Sequence, residues 1–484
     1  MSEERTLLAG TGANVIGLAA GVAAALGVQI LLGHALVPGA FGLVTVAVQV
    51  AFVAAAGSRF GMDVAAIRLV AISRGAGQTD HLRSLVDRCA GIALAASVVV
   101  AIVVAATAPL YDDYSRVIAL AALGIPFIAV TNVYLGATRG LAQMRQTLYV
   151  FWIGQPVVWI AGAGAAIAAG GATDAAVLTY DASWVVAAVA ARALWRREAR
   201  SFDGRAASAE EVRSAARYGL PRAPAALLAQ GMFWVDLWVL AAFEQGAELD
   251  AYAAAARVSQ VLLLFLTSVN LVFSPFAADL HARGQRERLQ ELFQRSTRWA
   301  LAATLPLLIV LFVAADDVMR AFSERFEAGE GALRILLLGH AANVATGSVG
   351  FLLLMTGFTG LDLLDNALGT LLLVALAIGL TTAFGIEGTA TAAAVTFAAV
   401  NVLRLLQVRR RLGVHPYERA FLGLAIPAGV AVLAAVATHA LLSDQAWWLS
   451  LAATAACTFV AYAATLPLGL PAPERSALWK TLRR

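Results

Sequence analysis

Apolar runs of about twenty residues recur down the whole chain, separated by short polar breaks. Wound as a helix, such a run matches the ~30 Å hydrocarbon layer of a bilayer. Lipid offers no hydrogen-bond partners, so a spanning segment must satisfy its own backbone, and these runs are too long for barrel strands. We count about fourteen, near residues 10–32, 40–60, 89–110, 116–136, 148–169, 175–195, 218–242, 251–278, 299–319, 332–356, 362–384, 386–408, 418–442 and 446–470. With 60% hydrophobic and 14% charged residues, most of the 484 positions belong in the membrane. The pattern predicts an all-α polytopic membrane protein with about 14 transmembrane helices.

Arginine placement sets the orientation, because positive residues are retained on the cytoplasmic side. One set of loops carries Arg68, Arg74, Arg83 and Arg88, then Arg139 and Arg145, then Arg196, Arg197, Arg200, Arg205, Arg213 and Arg217. Arg283, Arg286, Arg288, Arg295, Arg298, Arg409, Arg410, Arg411 and Arg419 continue that side, with Arg5, Arg475, Lys480, Arg483 and Arg484 at the ends. The opposite loops offer Arg116, Arg320 and Arg325, and they lean acidic through Asp112, Asp113, Asp174, Glu244, Glu248, Asp250 and Asp444. Both termini are therefore expected in the cytoplasm, in a multi-pass protein of the cytoplasmic membrane. No cleavable signal peptide is expected, since MSEERTLLAG runs straight into an apolar segment longer than a signal core.

Several chemistries are disfavoured. Cys89 and Cys457 sit in different apolar runs, which argues against a disulfide framework or a cysteine metal site. The histidines (His34, His81, His281, His340, His415, His439) are scattered singly. The formal charge of +4 reflects topology and is not a nucleic-acid footprint. The external loops are too short to hold a folded catalytic domain, so no enzyme, catalytic residue, metal or cofactor is expected. In the cytoplasmic segments, Ser208 and Glu211 have capping-box spacing. DLHARGQRERLQELFQRSTRW mixes arginines with Leu289, Leu292 and Phe293, as an interfacial amphipathic helix does.

The segments also repeat. Spans four to six can be laid over spans ten to twelve, with Gly140-Leu141 matching Gly360-Leu361 after a short turn, then a glycine-containing external turn and a basic stop. Both halves begin inside, so the repeat is parallel, a common way of building transporters with the substrate path between halves. The expected division is an N-lobe at 1–200, a cytoplasmic linker helix at 201–217, a C-lobe at 218–411, and two added spans with the tail at 412–484.

The chain resembles the polysaccharide flippases, the O-antigen and lipid-linked oligosaccharide translocases of the multidrug/oligosaccharidyl-lipid/polysaccharide exporter superfamily. The residues that carry the resemblance are GAFGLVTVAVQV with RFGMDVAAIRLVA, LGIPFIAVTNVYLGATRGLAQMR, FWVDLWVLAAFEQGAELDAYAAAARVSQ, LLLMTGFTG, FGIEGTATAAAVTF and VRRRLGVHP, in that order. It implies two six-helix lobes in a V, followed by two further helices. It also implies movement of a polyprenyl-(pyro)phosphate-linked glycan from the cytoplasmic to the outer leaflet. Its partners would be that lipid-linked oligosaccharide, membrane lipids, polysaccharide polymerase and glycosyltransferases, with no nucleic acid. The coupling force (H+, Na+ or the membrane potential) stays open.

An acidic headgroup crossing a bilayer calls for buried positive charge, and charge at that depth costs ~2.5–3.5 kcal/mol on insertion scales. Asp236 and Arg257 lie seven residues on either side of the outer loop spanning about Phe243 to Asp250, which would place them at equal depth. They are either a locking ion pair or a phosphate contact with its orienting carboxylate. Arg222 begins the seventh span and lies fourteen residues before Asp236, on nearly the same helical face. It snorkels to the interface or meets an arriving phosphate. Asp181 lies at the cavity wall or pairs with an arginine of another helix. His340 and Asn343 share a face, as helix–helix glue or as a proton-sensing group beside a polar contact. Arg59 and Asp63 have the spacing of a helix-surface ion pair. Asn14, Gln29, Gln49 and Asn270 are sugar contacts or packing glue. Two other functions remain open: a MATE-like multidrug or small-molecule antiporter, and an integral-membrane glycan polymerase or glycosyltransferase.

Overall fold

The computed structural model describes residues 2–202, 204–471 and 474–475; the side chains of residues 2–16, 18, 271, 272 and 275 are not described, which leaves Asn14 outside the account. Every regular element among the described residues is helical. Nine helices there are long and apolar enough to cross a membrane, or eleven if each of two bent pairs is one span. The fourteen expected runs thus do not separate into fourteen helices. Two long helical stretches, Leu82–Gly140 and Thr359–Leu412, each hold two of the expected runs. A straight helix of such length would greatly exceed the bilayer at 1.5 Å per residue. Each contains a backbone break instead. In the first, Tyr111 and Asp112 leave helical geometry. In the second it is Gly385, at φ +57 and ψ −136, a conformation open to glycine because it lacks a Cβ.

The chain forms two compact units, Ile16–Ala253 and Ala254–Arg484 with Met1–Val15. In the first unit the Ala40–Ser58 helix is central. Its apolar window is 72% buried, against 22% in Leu82–Gly140, so the outer helices give most of their surface to lipid. Val99, Ile102, Val103 and Val189 are exposed accordingly. No hydrophobic force draws helices together in lipid, so close packing must do so. The GATRG segment does this. A Cβ at Gly136 or Gly140 would run into the backbone oxygen of Asp63 or Ile67, and so the Ile125–Gly140 and Met62–Gly75 helices meet backbone to backbone. An aromatic chain fills the middle of the unit: Phe52, Phe151, Trp184, Tyr180 and Trp159, with successive centroids 4.8–6.2 Å apart.

The Ala40–Ser58 helix starts behind the Pro38-Gly39 turn. Its free N–H groups are met by Asp250, which accepts from Gly39 N at 2.7 Å and Gly42 N at 2.6 Å. A carboxylate there satisfies otherwise unpaired donors and complements the helix dipole. Asp250, first noted only as outer-loop acidity, is fully buried and structural.

The second unit has a core of Phe273, Leu289, Phe293, Val349, Leu352, Leu353, Val408 and Val414. Leu289 and Phe293 belong to the continuous Arg286–Val313 helix and point into this core. The expected amphipathic interfacial segment is therefore the first turns of a spanning helix, and the break precedes it at Gly284 (φ +67). Arg298, also on that helix, is buried against Glu418 and Glu474. Elsewhere the expected capping box is present: Glu211 N donates to Ser208 Oγ at 3.2 Å and Ser208 N to Glu211 Oε2 at 2.7 Å.

Hydrogen bonds to a charged group contribute roughly 1.5–3 kcal/mol each. Asp250→Ala should therefore lower the thermal midpoint of the detergent-solubilised protein by several degrees, whereas Glu248→Ala changes it little. Equal midpoints for the two variants would remove the structural role given to Asp250.

Candidate functional site

The first unit contains a cleft of about 720 Å³. Val46, Val50, Val53 and Ala54 form one wall, at the spacing that keeps side chains on a single helix face. Leu227, Trp238, Ala241 and Ala242 face it, and Val104 and Ile118 complete the apolar lining. The polar groups gather at Thr107, Tyr111, Asp112 and Gln245. Two breaks in the helices shape the opening: the non-helical Tyr111–Asp112 step and the bend before Val235–Phe243. Tyr114 ties the two sides by donating its hydroxyl to Ala241 O at 3.2 Å. An apolar cleft with a few convergent polar groups is the usual form of a ligand site. No arginine contributes to the lining, and none of the six site residues expected from the sequence does so.

The structure revises the relation between Arg222 and Asp236. The seventh span is not one straight helix but two arms, Ala209–Gly231 and Val235–Phe243, bent by 56°. Pro221 and Pro224 tighten its start and the chain turns through Gly231–Trp234, so helical-wheel arithmetic cannot be carried across it. Arg222 is half-buried and reaches Tyr218, 3.4 Å from its hydroxyl and 5.9 Å from the ring centre. Arg68 stacks on the same ring at 4.3 Å. Asp236 is buried and accepts a 2.6 Å hydrogen bond from Tyr252, a residue the sequence reading passed over. Asp236 belongs to the first unit and the half-buried Arg257 to the second.

Asp181 is buried with neither carboxylate oxygen hydrogen-bonded among the described residues. It fits only because Gly124 has no side chain, as a Cβ there would collide with Asp181 Oδ1. Arg59 and Asp63 do pair, at 3.3 Å, although across the Phe60-Gly61 turn and not along one helix. Arg139 lies within electrostatic reach of both. With Arg68 and Arg222 they form a cationic end to the first unit, on the side expected to face the cytoplasm.

In the second unit, His340 is buried and stacked on Phe397 with centroids 5.1 Å apart. Asn343, half-buried on the same helix, gives its backbone carbonyl to Thr346 Oγ1 at 2.8 Å. A cluster absent from the sequence reading joins the two arms of Thr359–Leu412. Arg404 bonds Asp362 at 3.1 Å and Asn366 at 2.9 Å and stands 3.7 Å from Asp365, which accepts from Gln407 at 2.7 Å. The separation of 42 positions from Asp362 to Arg404 hides this cluster from local spacing rules.

Residues 7–281 match the model of the polysaccharide biosynthesis protein family, and residues 221–376 match the MatE family. A curated relative, the probable low-salt glycan biosynthesis flippase Agl15 of Haloferax volcanii, is 22% identical over 248 residues, 51% of this chain and 52% of the relative. The chain thus spans about half the length of that relative. The fold is similar to that of the lipid II flippase MurJ in its inward closed conformation, with a TM-score of 0.70 at 12% identity over 99% of this chain and 100% of the other. It is also similar to an inward-facing multidrug resistance MATE family transporter of the MOP superfamily, with a TM-score of 0.60 at 16% identity over 82% and 94%.

If the cleft admits solutes, a thiol in its wall should react. In a Cys457→Ala background, Ala242→Cys should couple to a membrane-permeant maleimide, and adding Val50→Trp should slow that coupling at least tenfold. Unchanged labelling would show that the cleft is closed.

Proposed function

Because the chain belongs to the polysaccharide biosynthesis protein family, we propose that it flips a polyprenyl-(pyro)phosphate-linked oligosaccharide from the cytoplasmic to the outer leaflet by alternating access. The family match is the observation that carries this reading, and the named flippase relative and the full-length likeness in fold are consistent with it. The two lobes, 1–200 and 218–411, would rock about the path, with the linker 201–217 between them and the spans of 412–484 outside it. The protein works in the cytoplasmic membrane with both termini inside, and it receives substrate from glycosyltransferases and delivers it to a polysaccharide polymerase. It is a transporter and forms no covalent intermediate.

The chemistry is consistent at both ends. An incoming phosphate meets Arg59, Arg68, Arg139 and Arg222, of which Arg59 is paired with Asp63 and Arg68 and Arg222 lie against the Tyr218 ring. Arg257 is the deeper contact for the headgroup. The apolar wall of the 720 Å³ cleft suits the lipid end of such a substrate, and its polar rim suits sugar hydroxyls.

One observation favours a second reading. The cleft carries Asp112 and no arginine, and the buried Asp181 has no hydrogen-bond partner among the described residues. Acidic groups at a cavity are what a MATE-like antiporter of cationic compounds would present.

Proteoliposomes separate the two. The protein should move a fluorescent polyprenyl-pyrophosphate glycan between leaflets, and Arg257→Ala should slow this at least tenfold, equivalent to about 1.4 kcal/mol in the barrier. Full activity in that variant would reduce Arg257 to a structural part. Transport of cationic dyes alone would establish the antiporter.

A further inference from the structure

A second cluster lies in the second unit, away from the cleft. Asp316 and Asp317 open the short Ala315–Arg320 helix, which follows the Arg286–Val313 span directly. His439 arrives from the last turn of Ala425–Leu441, and Ser450 from the first turns of Trp447–Gly469. His439 Nε2 lies 3.3 Å from Asp316 Oδ1, and its Nδ1 lies 3.5 Å from Asp317 Oδ2 and 3.2 Å from Ser450 Oγ. One ligand-type atom from each of Asp316, Asp317 and His439 falls within 4.8 Å of the others.

Three features separate this cluster from an ordinary ion pair. Asp317 is buried, its side chain 4% exposed; Ser450 hydrogen-bonds the carboxylate, and Oδ2, 3.5 Å from His439 Nδ1, has no hydrogen-bond partner among the described residues. Asp316 Oδ1 is in the same position. The charges also fail to cancel. Arg320, the cation nearby, bonds Glu327 at 2.7 Å, so three carboxylates face one guanidinium. A neutral imidazole carries one N–H and cannot donate to both aspartates. Among the described residues the cluster therefore lacks positive charges. A bound divalent ion supplies them and accepts electron pairs from both carboxylates and one ring nitrogen.

We infer that Asp316, Asp317 and His439 form a binding site for a divalent transition-metal ion of the zinc class. An imidazole with two carboxylates suits Zn2+, and the hard-cation sites of Ca2+ and Mg2+ are built from oxygen alone. Ligand atoms ~2.0–2.2 Å from a tetrahedral zinc stand about 3.3–3.5 Å apart, which is the spacing of His439 Nε2 and Asp316 Oδ1, and one ligand-type atom from each of the three residues lies within 4.8 Å of the others. With Nε2 as the ligand nitrogen, Nδ1 donates to Ser450 Oγ, the outer hydrogen bond that orients a metal-binding histidine. Asp316 and His439 remain about one-fifth exposed, which lets the ion enter and leaves a fourth position for water. The site would clip the last two spans to the end of the Arg286–Val313 helix, on the side the arginine distribution places outside the cell.

The test uses full-length, tag-free protein, stripped with chelator and titrated with Zn2+, Mn2+ and Ca2+ by calorimetry, with metal content read by mass spectrometry. We expect about one Zn2+ per chain, a rise in thermal midpoint on adding Zn2+, and weaker binding of Ca2+. Asp316→Asn, a near-isosteric change at the more exposed ligand, should weaken Zn2+ binding at least tenfold while the apo midpoint stays within a few degrees. His439→Gln should do the same. Stoichiometric binding that survives both variants would overturn the site. So would the absence of zinc binding. Glycan flipping by metal-free protein at an unchanged rate leaves the proposed function standing whatever the metal result.

Discussion

Hydrocarbon cannot hydrogen-bond, and that constraint governs where this chain leaves a helix and what stands beside each break. A peptide group freed from its ladder inside the bilayer costs several kcal/mol unless protein meets it. The breaks accordingly fall where something answers them. Gly385 turns one long helical stretch within a single sterically permissive residue. The start of Ala40–Ser58 is met by Asp250. The gap between the arms of the seventh span is closed by the hydrogen bonds of Phe233 and Trp234 to Gln230 and Gly231. The breaks at Tyr111–Asp112 and before Val235 also open the 720 Å³ cleft of the first unit, so departures from regular helix are where that pocket becomes available.

The same logic sorts the intramembrane charges. Asp236 with Tyr252, and Arg404 with Asp362 and Asn366, are charges whose partners sit on another helical segment. Each would be costly alone and is tolerable paired. Asp181 stands apart, because the space that admits it comes from Gly124 and no hydrogen bond reaches it among the described residues. Charge at depth is therefore an incomplete guide to function in this chain, since most of it is engaged in holding helices together.

That distinction also explains what the sequence could disclose. The apolar runs gave the fold class because their length answers directly to bilayer thickness. The Ser208–Glu211 cap and the Arg59–Asp63 pair were legible because they span three or four residues. The Arg222–Asp236 alignment failed because it assumed one straight helix where Pro221, Pro224 and the Gly231–Trp234 turn prevent it. Tyr252 was invisible as the partner of Asp236, since no spacing rule links residues across a hairpin to sub-helical precision. Arg404 and Asp362, or His439 and Asp316, lie much further apart along the chain and meet only once it is folded.

The bond between Asp250 and the start of Ala40–Ser58 reaches across 211 positions. At ~5–20 residues per second, a ribosome needs roughly 10–40 s after making Gly39 to deliver the carboxylate that completes it. Throughout that interval the central helix of the first unit lacks its carboxylate cap, and the spans between residues 89 and 242 are made before that cap is synthesised. The unit is thus finished from its middle last, and a nascent chain halted before Asp250 would carry an unsealed helix for as long as the pause endures.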